Sequence, residues 1–141
     1  MQRRRSHFEI VRQSDIAFLL QKPARARILS ITHDPSLART RELLFSNSGF
    51  DVSSFLDTAA AIEKCRREAF DLVIVGHSIP LSERKTLVKA LREAGAASIL
   101  ALTRLGDAPL PEADYWFDPS ESPALLLETV RRILRQTGET E

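Results

Sequence analysis

Short apolar runs alternate with segments of helical periodicity along the chain from residue 25 onward. Five such runs stand out, at residues 26–31, 50–55, 70–75, 98–102 and 115–117. Runs this short, several of them rich in Val and Ile, are typical of buried strands in a parallel sheet. Strands that alternate with helical segments indicate βα units, so the pattern predicts an α/β domain.

Residues that start and stop helices lie between the runs, where the pattern needs them. They are Asp34 with Pro35, Gly49, Asp57 with Thr58, Gly95, and Ser122 with Pro123. Asp and Ser cap helix N-termini, proline suits the first helical position, and glycine ends helices. The predicted apolar faces consist of Leu37, Leu43 and Leu44 in the first helix, Ala61, Ile62, Cys65 and Ala69 in the second, and Leu125, Leu126, Val130, Ile133 and Leu134 in the last.

The segment between the fourth and fifth runs differs from the others. Residues 104–114, "RLGDAPLPEAD", contain two prolines and no helical periodicity. Proline interrupts helices, so this segment forms one helical turn at most. We therefore expect the helix between the last two strands to be reduced or missing.

Composition and length indicate one soluble domain. The chain has 141 residues, 43% hydrophobic, with a net charge of +1. We expect a domain at 25–136, an N-terminal extension at 1–24 that is flexible or a short helix, and a tail at 137–141. The basic run "QRRRSH" is short, and the other cationic residues alternate with acidic ones, which argues against nucleic acid as a partner. A lone Cys65 and the lack of a long apolar span predict a cytoplasmic protein without membrane contact.

Five strands in βα alternation suit a flavodoxin-like, doubly wound parallel sheet of order 2-1-3-4-5. The stretches "RILSITHDP", "GFDV", "FDLVIVGHSIP", "SILALTR" and "YWFDP" resemble the receiver domain of bacterial two-component response regulators. The resemblance covers about residues 26–136. It implies a signalling domain, since receivers accept a phosphoryl group from a histidine kinase on an aspartate after the third strand.

Most chemical positions of that family carry other residues here. By register, the acceptor aspartate falls on Gly76, and glycine offers no oxygen for an acyl phosphate. The Mg²⁺-binding acidic pair falls on Thr32 and His33, with Asp34 next, a poor set for a cation that prefers oxygen ligands. The family's lysine falls on Asp118.

Three positions of the family persist. Thr103 matches its hydroxyl residue, Tyr115 its switch aromatic and Pro119 the proline after its lysine. The chain thus resembles a pseudo-receiver, and we expect no cofactor. We predict a phosphorylation-independent domain in a two-component or related bacterial pathway, whose partner is a kinase, an output protein or a second copy. A partner surface is expected where the helix is missing, at Leu105, Leu110 and Trp116.

Two alternatives stay open at this point. In the first, His33, Asp34, His77 and Asp118 gather at the carboxyl edge of the sheet as a transition-metal site. The same edge could instead serve a hydrolytic protein that uses His33 and His77, with His77 as general base and Thr103 as hydroxyl donor.

In the second alternative, the chain is an atypical receiver that is phosphorylated at another residue. Asp34 is nearest, but as a predicted helix cap its carboxylate is already engaged.

Overall fold

The computed structural model describes residues 25–104, 106–107 and 110–139, with side chains described up to residue 136. The strands are β1 (Arg27–Ile31), β2 (Asp51–Phe55), β3 (Leu72–Val75), β4 (Ile99–Leu102) and β5 (Tyr115–Phe117). The helices are α1 (Pro35–Ser46), α2 (Thr58–Arg67), α3 (Leu81–Glu93) and α4 (Pro123–Glu139).

All five strands pair in parallel in the order β2-β1-β3-β4-β5. This confirms the predicted flavodoxin-like fold and sheet order. Between β4 and β5 the described residues form turns and bends, and no helix occurs among them. Four helices therefore surround the sheet in the described part of the chain, with the fourth helix of the full pattern missing as expected.

Alternate residues of the central strands face two separate apolar layers. In β3, Val73 and Val75 pack on the side of α2 and α3, while Leu72 and Ile74 pack on the side of α1 and α4. Strand alternation explains this division, because successive side chains point to opposite faces. The lone Cys65 lies buried in the first layer, where it behaves as a small core residue.

The predicted helix starts are confirmed by their hydrogen bonds. Asp34 accepts from the backbone N–H groups of Ser36 and Leu37 at the start of α1, and Asp57 accepts from that of Ala60. At α4, the Ser122 hydroxyl accepts from the Leu125 N–H at 3.1 Å. Such caps satisfy the free N–H groups of the first turn.

Some of the predicted apolar faces are wrong in detail. Leu43 and Leu125 are exposed, and Ala69 is exposed beyond the end of α2. In α1 the buried face is instead Ala38, Arg41 and Phe45. An arginine at the centre of a buried helix face is uncommon, because charged side chains are rarely buried.

The C-terminal helix extends past the predicted domain boundary. Helix α4 continues to Glu139, three residues past the predicted boundary at residue 136. Residues 1–24, for which we predicted a flexible arm or a short helix, lie outside the described residues. None of the described helices combines the length and apolar character that a membrane span requires.

Candidate functional site

Four of the predicted site residues follow directly on four strand ends. Thr32 follows β1, Gly76 follows β3, Thr103 follows β4 and Asp118 follows β5. Backbone bonds extend the pairing to this edge, since the N–H of Gly76 donates to the Ile31 carbonyl at 2.8 Å. The N–H of Thr103 likewise donates to the carbonyl of β5's last residue at 2.9 Å. The carboxyl edge of the sheet, where ligands bind in this architecture, therefore holds these residues together.

Gly76 has no room for a side chain. A Cβ atom built at this position would lie 2.9 Å from the carbonyl oxygen of Ile31 and 3.0 Å from the Cβ of Thr32. It would also lie 3.2 Å from Nη1 of Arg41. The acceptor position of the resemblance is thus occupied by backbone and by a guanidinium group that approaches it from α1.

Arg41 is buried although it carries a charge. Its exposed fraction is 6%, and its Nη1 atom has no hydrogen-bond partner among the described residues. Burial lowers the pKa of the guanidinium, and the Asp34 carboxylate opposes this shift. A buried, unpaired donor costs about 1–3 kcal/mol, more if it is charged. The domain therefore retains a group at this edge that weakens its fold.

A second buried arginine reaches the same edge from α3. Arg84 has an exposed fraction of 4%, and its Nη1 donates to the Leu102 carbonyl at 3.2 Å, one residue before Thr103. Its Nε has no partner among the described residues, and its Nη2 lies 4.0 Å from the exposed carboxylate of Asp107. Two guanidinium groups thus flank the ends of β3 and β4.

Thr32 and His33, at the positions of the family's acidic pair, are both hydrogen-bonded to Ser78. The hydroxyl groups of Thr32 and Ser78 are hydrogen-bonded at 2.6 Å. The backbone N–H of His33 also donates to Ser78 Oγ, at 3.1 Å. Together with the missing side chain at Gly76 and the guanidinium of Arg41, this donor set does not fit Mg²⁺, which needs several oxygen ligands in octahedral geometry.

His33 points away from the edge toward α3. Its Nδ1–H donates to the Leu56 carbonyl at 2.9 Å, and its Nε2 lies 3.2 Å from both oxygens of Glu83. Thr58 Oγ1 also donates to Glu83, at 3.1 Å. Because both ring nitrogens face acceptors, the protonated ring is favoured, and Glu83 and then Leu56 raise the pKa of His33 above 6.5.

This arrangement predicts a pH-dependent contribution to stability. A raised pKa means that the His33–Glu83 pair stabilises the fold fully below about pH 6.5 and loses this effect as the pH rises through the folded-state pKa. Both side chains are more than a third exposed, so we expect at most about 1 kcal/mol. In urea unfolding, His33→Gln should cost more stability near about pH 5.5 than near about pH 8.5. An equal cost at both values would contradict this role, and His77, present in both proteins, cancels in the comparison.

The two acidic residues at the edge are engaged in local turns. Asp34 caps α1, as described above. The Asp118 carboxylate accepts from the backbone N–H and the hydroxyl of Ser120, at 2.9 and 2.8 Å. Pairing with nearby N–H groups in this way is the common behaviour of aspartate at caps and turns.

His77 and Thr103 carry unpaired polar atoms at the centre of the edge. Nδ1 of His77 and Oγ1 of Thr103 are buried without a hydrogen-bond partner among the described residues. His77 also lines an open cleft of about 310 Å³ together with Arg104, Pro119 and Ser120. Burial and then the cations Arg104, Arg41 and Arg84 lower the pKa of His77 below 6.5, while Asp34 opposes them. The imidazole is therefore neutral at pH 7.

The structure does not support the metal-site alternative. His33 binds Glu83, Asp34 caps a helix, Asp118 closes a turn and only His77 lines the cleft. In the part of the chain that the structure describes, no three His, Cys, Asp or Glu side chains gather closely enough to hold a metal ion. The predicted set His33, Asp34, His77 and Asp118 is thus wrong as a ligand cluster, because most of its members are bonded elsewhere.

The predicted partner surface also needs correction. Leu110 has an exposed fraction of 1% and packs in the core layer of α2 and α3, so it is not a surface residue. It takes up core space where a helix is missing. Trp116 remains a candidate, with an exposed fraction of 46% and an indole N–H that donates to the Leu110 carbonyl at 3.1 Å. Leu105 lies outside the described residues.

Tyr115, at the switch-aromatic position, is half-buried and packs against the apolar layer on the side of α1 and α4.

Three residues of the edge escaped the sequence reasoning: Arg41, Arg84 and Ser78. A signal for the first exists, since Ala38, Arg41 and Phe45 are spaced three and four residues apart and share one helix face. Arg84 shows the same spacing with Leu87, Val88 and Leu91 in α3. Charged residues on such faces are usually assigned to the rim, so their burial is visible only in the fold.

Comparison with solved structures gives the same architecture. The chemotaxis protein CheY4 of Vibrio cholerae is 23% identical, with a TM-score of 0.67, over 77% of this chain and 98% of that one. A CheY-like response regulator receiver domain protein from Methanospirillum hungatei is 21% identical, with a TM-score of 0.71, over 83% and 99%. A two-component response regulator from Clostridium difficile is also 21% identical, with a TM-score of 0.71, over 80% and 98%. The chain therefore has the fold of a CheY-like receiver domain.

Sequence comparison adds one curated relative. The transcriptional activator protein PfeR of Pseudomonas aeruginosa is 31% identical over 80 residues, which are 57% of this chain. The match spans about a quarter, 26%, of that protein's length. No family model matches the sequence.

Proposed function

We propose that this chain, which has the fold of a response-regulator receiver domain, is a pseudo-receiver that signals without phosphorylation. It acts through protein contact in a bacterial two-component or related regulatory pathway, in the cytoplasm, and does not catalyse a reaction. Similarity to receiver structures and to a transcriptional activator supports the signalling class. Its partner is a kinase, an output protein or a second copy of the chain.

One observation carries the proposal: the acceptor position is closed. Gly76 offers no carboxylate, and the space that a side chain would take is bounded by the Ile31 carbonyl and Arg41 Nη1. An acyl phosphate needs a carboxylate oxygen as nucleophile. The nearest candidate, Asp34, is held by two backbone N–H groups at the start of α1. Phosphorylation at another residue of this edge is therefore disfavoured.

The missing helix supplies a surface for contact. A groove of about 330 Å³ lies between α3 and residues 110–112, lined by Lys85, Thr86, Val88, Lys89, Leu110, Pro111 and Glu112. Exposed Trp116 adjoins it through the hydrogen bond to Leu110, on the edge strand β5. Exposed aromatic residues beside an apolar groove are typical of protein interfaces. We propose this groove and Trp116 as the contact surface.

A phosphodonor tests the proposal. After incubation with acetyl phosphate and Mg²⁺, the intact mass of this chain should be unchanged, because Gly76 has no carboxylate and the Asp34 carboxylate is held as a helix cap. A receiver domain that retains the aspartate is treated in parallel and should gain the mass of one phosphoryl group. An acid-labile phosphoryl adduct on this chain would contradict the proposal and favour the atypical receiver with another acceptor.

A further inference from the structure

We infer that the carboxyl edge of the sheet binds a small tetrahedral oxyanion of the phosphate class, reversibly and without a metal. The ligand contacts are Arg104 and His77 at the cleft, with Arg41 and the Thr103 hydroxyl behind them. This inference goes beyond protein contact and does not depend on it. It assigns a ligand to the edge that the resemblance would leave as a dead site.

Cationic groups converge on this edge from three separate elements. Arg41 comes from α1, Arg84 from α3 and Arg104 from the segment after β4. The Arg41 guanidinium lies beside Gly76, one residue before His77, and Arg104 lines the cleft with His77. Pro119 lines both this cleft and the neighbouring one that Arg41 lines, so the two clefts adjoin. Three cations on one edge produce a positive field that favours anions.

Four buried polar atoms at this edge lack partners. Nη1 of Arg41, Nε of Arg84, Nδ1 of His77 and Oγ1 of Thr103 have no hydrogen-bond partner among the described residues, although all four are buried. Buried polar atoms are almost always paired, so four unpaired ones at one edge need an explanation. An anion in the cleft would accept from the groups it reaches and would neutralise part of the buried charge.

Two carboxylates near these cations are engaged elsewhere or lie at long distance. Asp34 accepts from the N–H groups of α1. Asp107 approaches Arg84 only to 4.0 Å and is half exposed. Neither of these two carboxylates therefore forms a close ion pair with Arg41 or Arg84. Guanidinium groups bind phosphate well because their N–H groups match its oxygens in pairs.

Inorganic phosphate is the probe that tests the inference. The full chain is titrated with sodium phosphate at constant ionic strength, against sodium chloride as reference, in two-dimensional ¹⁵N–¹H spectra. We expect saturable shifts of the Gly76, His77 and Thr103 amides, half complete at or below about 1 mM phosphate. Sulfate, which has the same shape, should shift the same amides.

Variants distinguish phosphate binding at this site from a general effect of positive charge. Arg104→Gln removes an exposed cation at the cleft and should weaken phosphate binding about three- to tenfold. Arg135→Gln removes an exposed cation from α4 and should leave it unchanged. Arg41→Met should weaken binding while the spectrum stays that of a folded protein.

Each remaining outcome overturns the inference. These outcomes are no saturable shifts, equal shifts with chloride, or equal losses in Arg104→Gln and Arg135→Gln. Because phosphate binding is reversible and leaves the intact mass unchanged, failure here is distinct from failure of the phosphodonor test.

Discussion

Replacing Leu110 by glutamate should destabilise the domain by at least about 3 kcal/mol, the largest effect we expect from one substitution. Leu110 has an exposed fraction of 1% and lies among the core residues that pack with α2 and α3. The substitution removes buried apolar contacts and places a carboxylate in an apolar layer. Since a domain of this kind is stable by about 5–15 kcal/mol, a large share of its stability would be lost.

Leu43→Glu is the matched control, because it makes the same change at an exposed position of α1. Its effect should stay within about 0.5 kcal/mol. Urea unfolding followed by circular dichroism measures both variants. If Leu110→Glu were as stable as Leu43→Glu, Leu110 would be a surface residue and the segment between β4 and β5 would not close the core.

Gly76→Ala should destabilise the domain by about 1–3 kcal/mol, which is unusual for so small an addition. The added Cβ would meet the Ile31 carbonyl oxygen at 2.9 Å, closer than van der Waals contact allows. That oxygen belongs to the backbone and accepts the Gly76 N–H at 2.8 Å, so β1 and β3 would have to separate locally. The Arg41 guanidinium, at 3.2 Å, is the end of a flexible chain and can move.

The double variant Gly76→Ala with Arg41→Met tests which contact causes the loss of stability. If the contact with the Ile31 carbonyl causes it, the cost of Gly76→Ala should be nearly the same in the Arg41→Met background. A cost that disappears there would assign the effect to the arginine. Unchanged stability of Gly76→Ala alone would mean that the position has room for a side chain, and hence for an acceptor aspartate.

The fold could be predicted from the sequence because strands, helix starts and helix breaks are each marked by residues that are close together in the chain. Short apolar runs mark the strands, and Asp34, Asp57 and Ser122 mark the helix starts that the structure confirms. The missing helix followed from two prolines and the lack of periodicity in residues 104–114. None of these inferences requires knowledge of which residues meet across the fold.

The site was predicted less well because its character depends on tertiary contacts. Residues at the strand ends were correctly placed at one edge, but their bonding partners were not foreseen. His33 turns to Glu83, fifty positions along the chain, and Leu110 turns inward although its segment lacks a periodic pattern. The close approach of Arg41 Nη1 to Gly76 is likewise a relation between two elements that neither shows alone.

Together these contacts give the edge a chemistry that differs from that of the receiver site in the resemblance. Receivers, by the resemblance, place carboxylates and Mg²⁺ at this edge. Here the acceptor position is a glycine, Gly76, and the lysine position is Asp118. Arg41 and Arg84 are buried close by. A single aspartate introduced at residue 76 would not create a receiver site, because it would meet the Ile31 carbonyl and lack the second acidic group.

The most direct test of the central claim is a titration of the full chain with MgCl₂, followed on the Gly76, His77 and Thr103 amides in ¹⁵N–¹H spectra. The claim is that this edge does not have the acidic, metal-binding chemistry of a receiver. We predict no saturable shifts of these three amides at millimolar Mg²⁺, because the donor set offers a paired hydroxyl, a glycine and guanidinium groups instead of carboxylates. Saturable shifts centred on those amides would show a working metal site and would contradict the account.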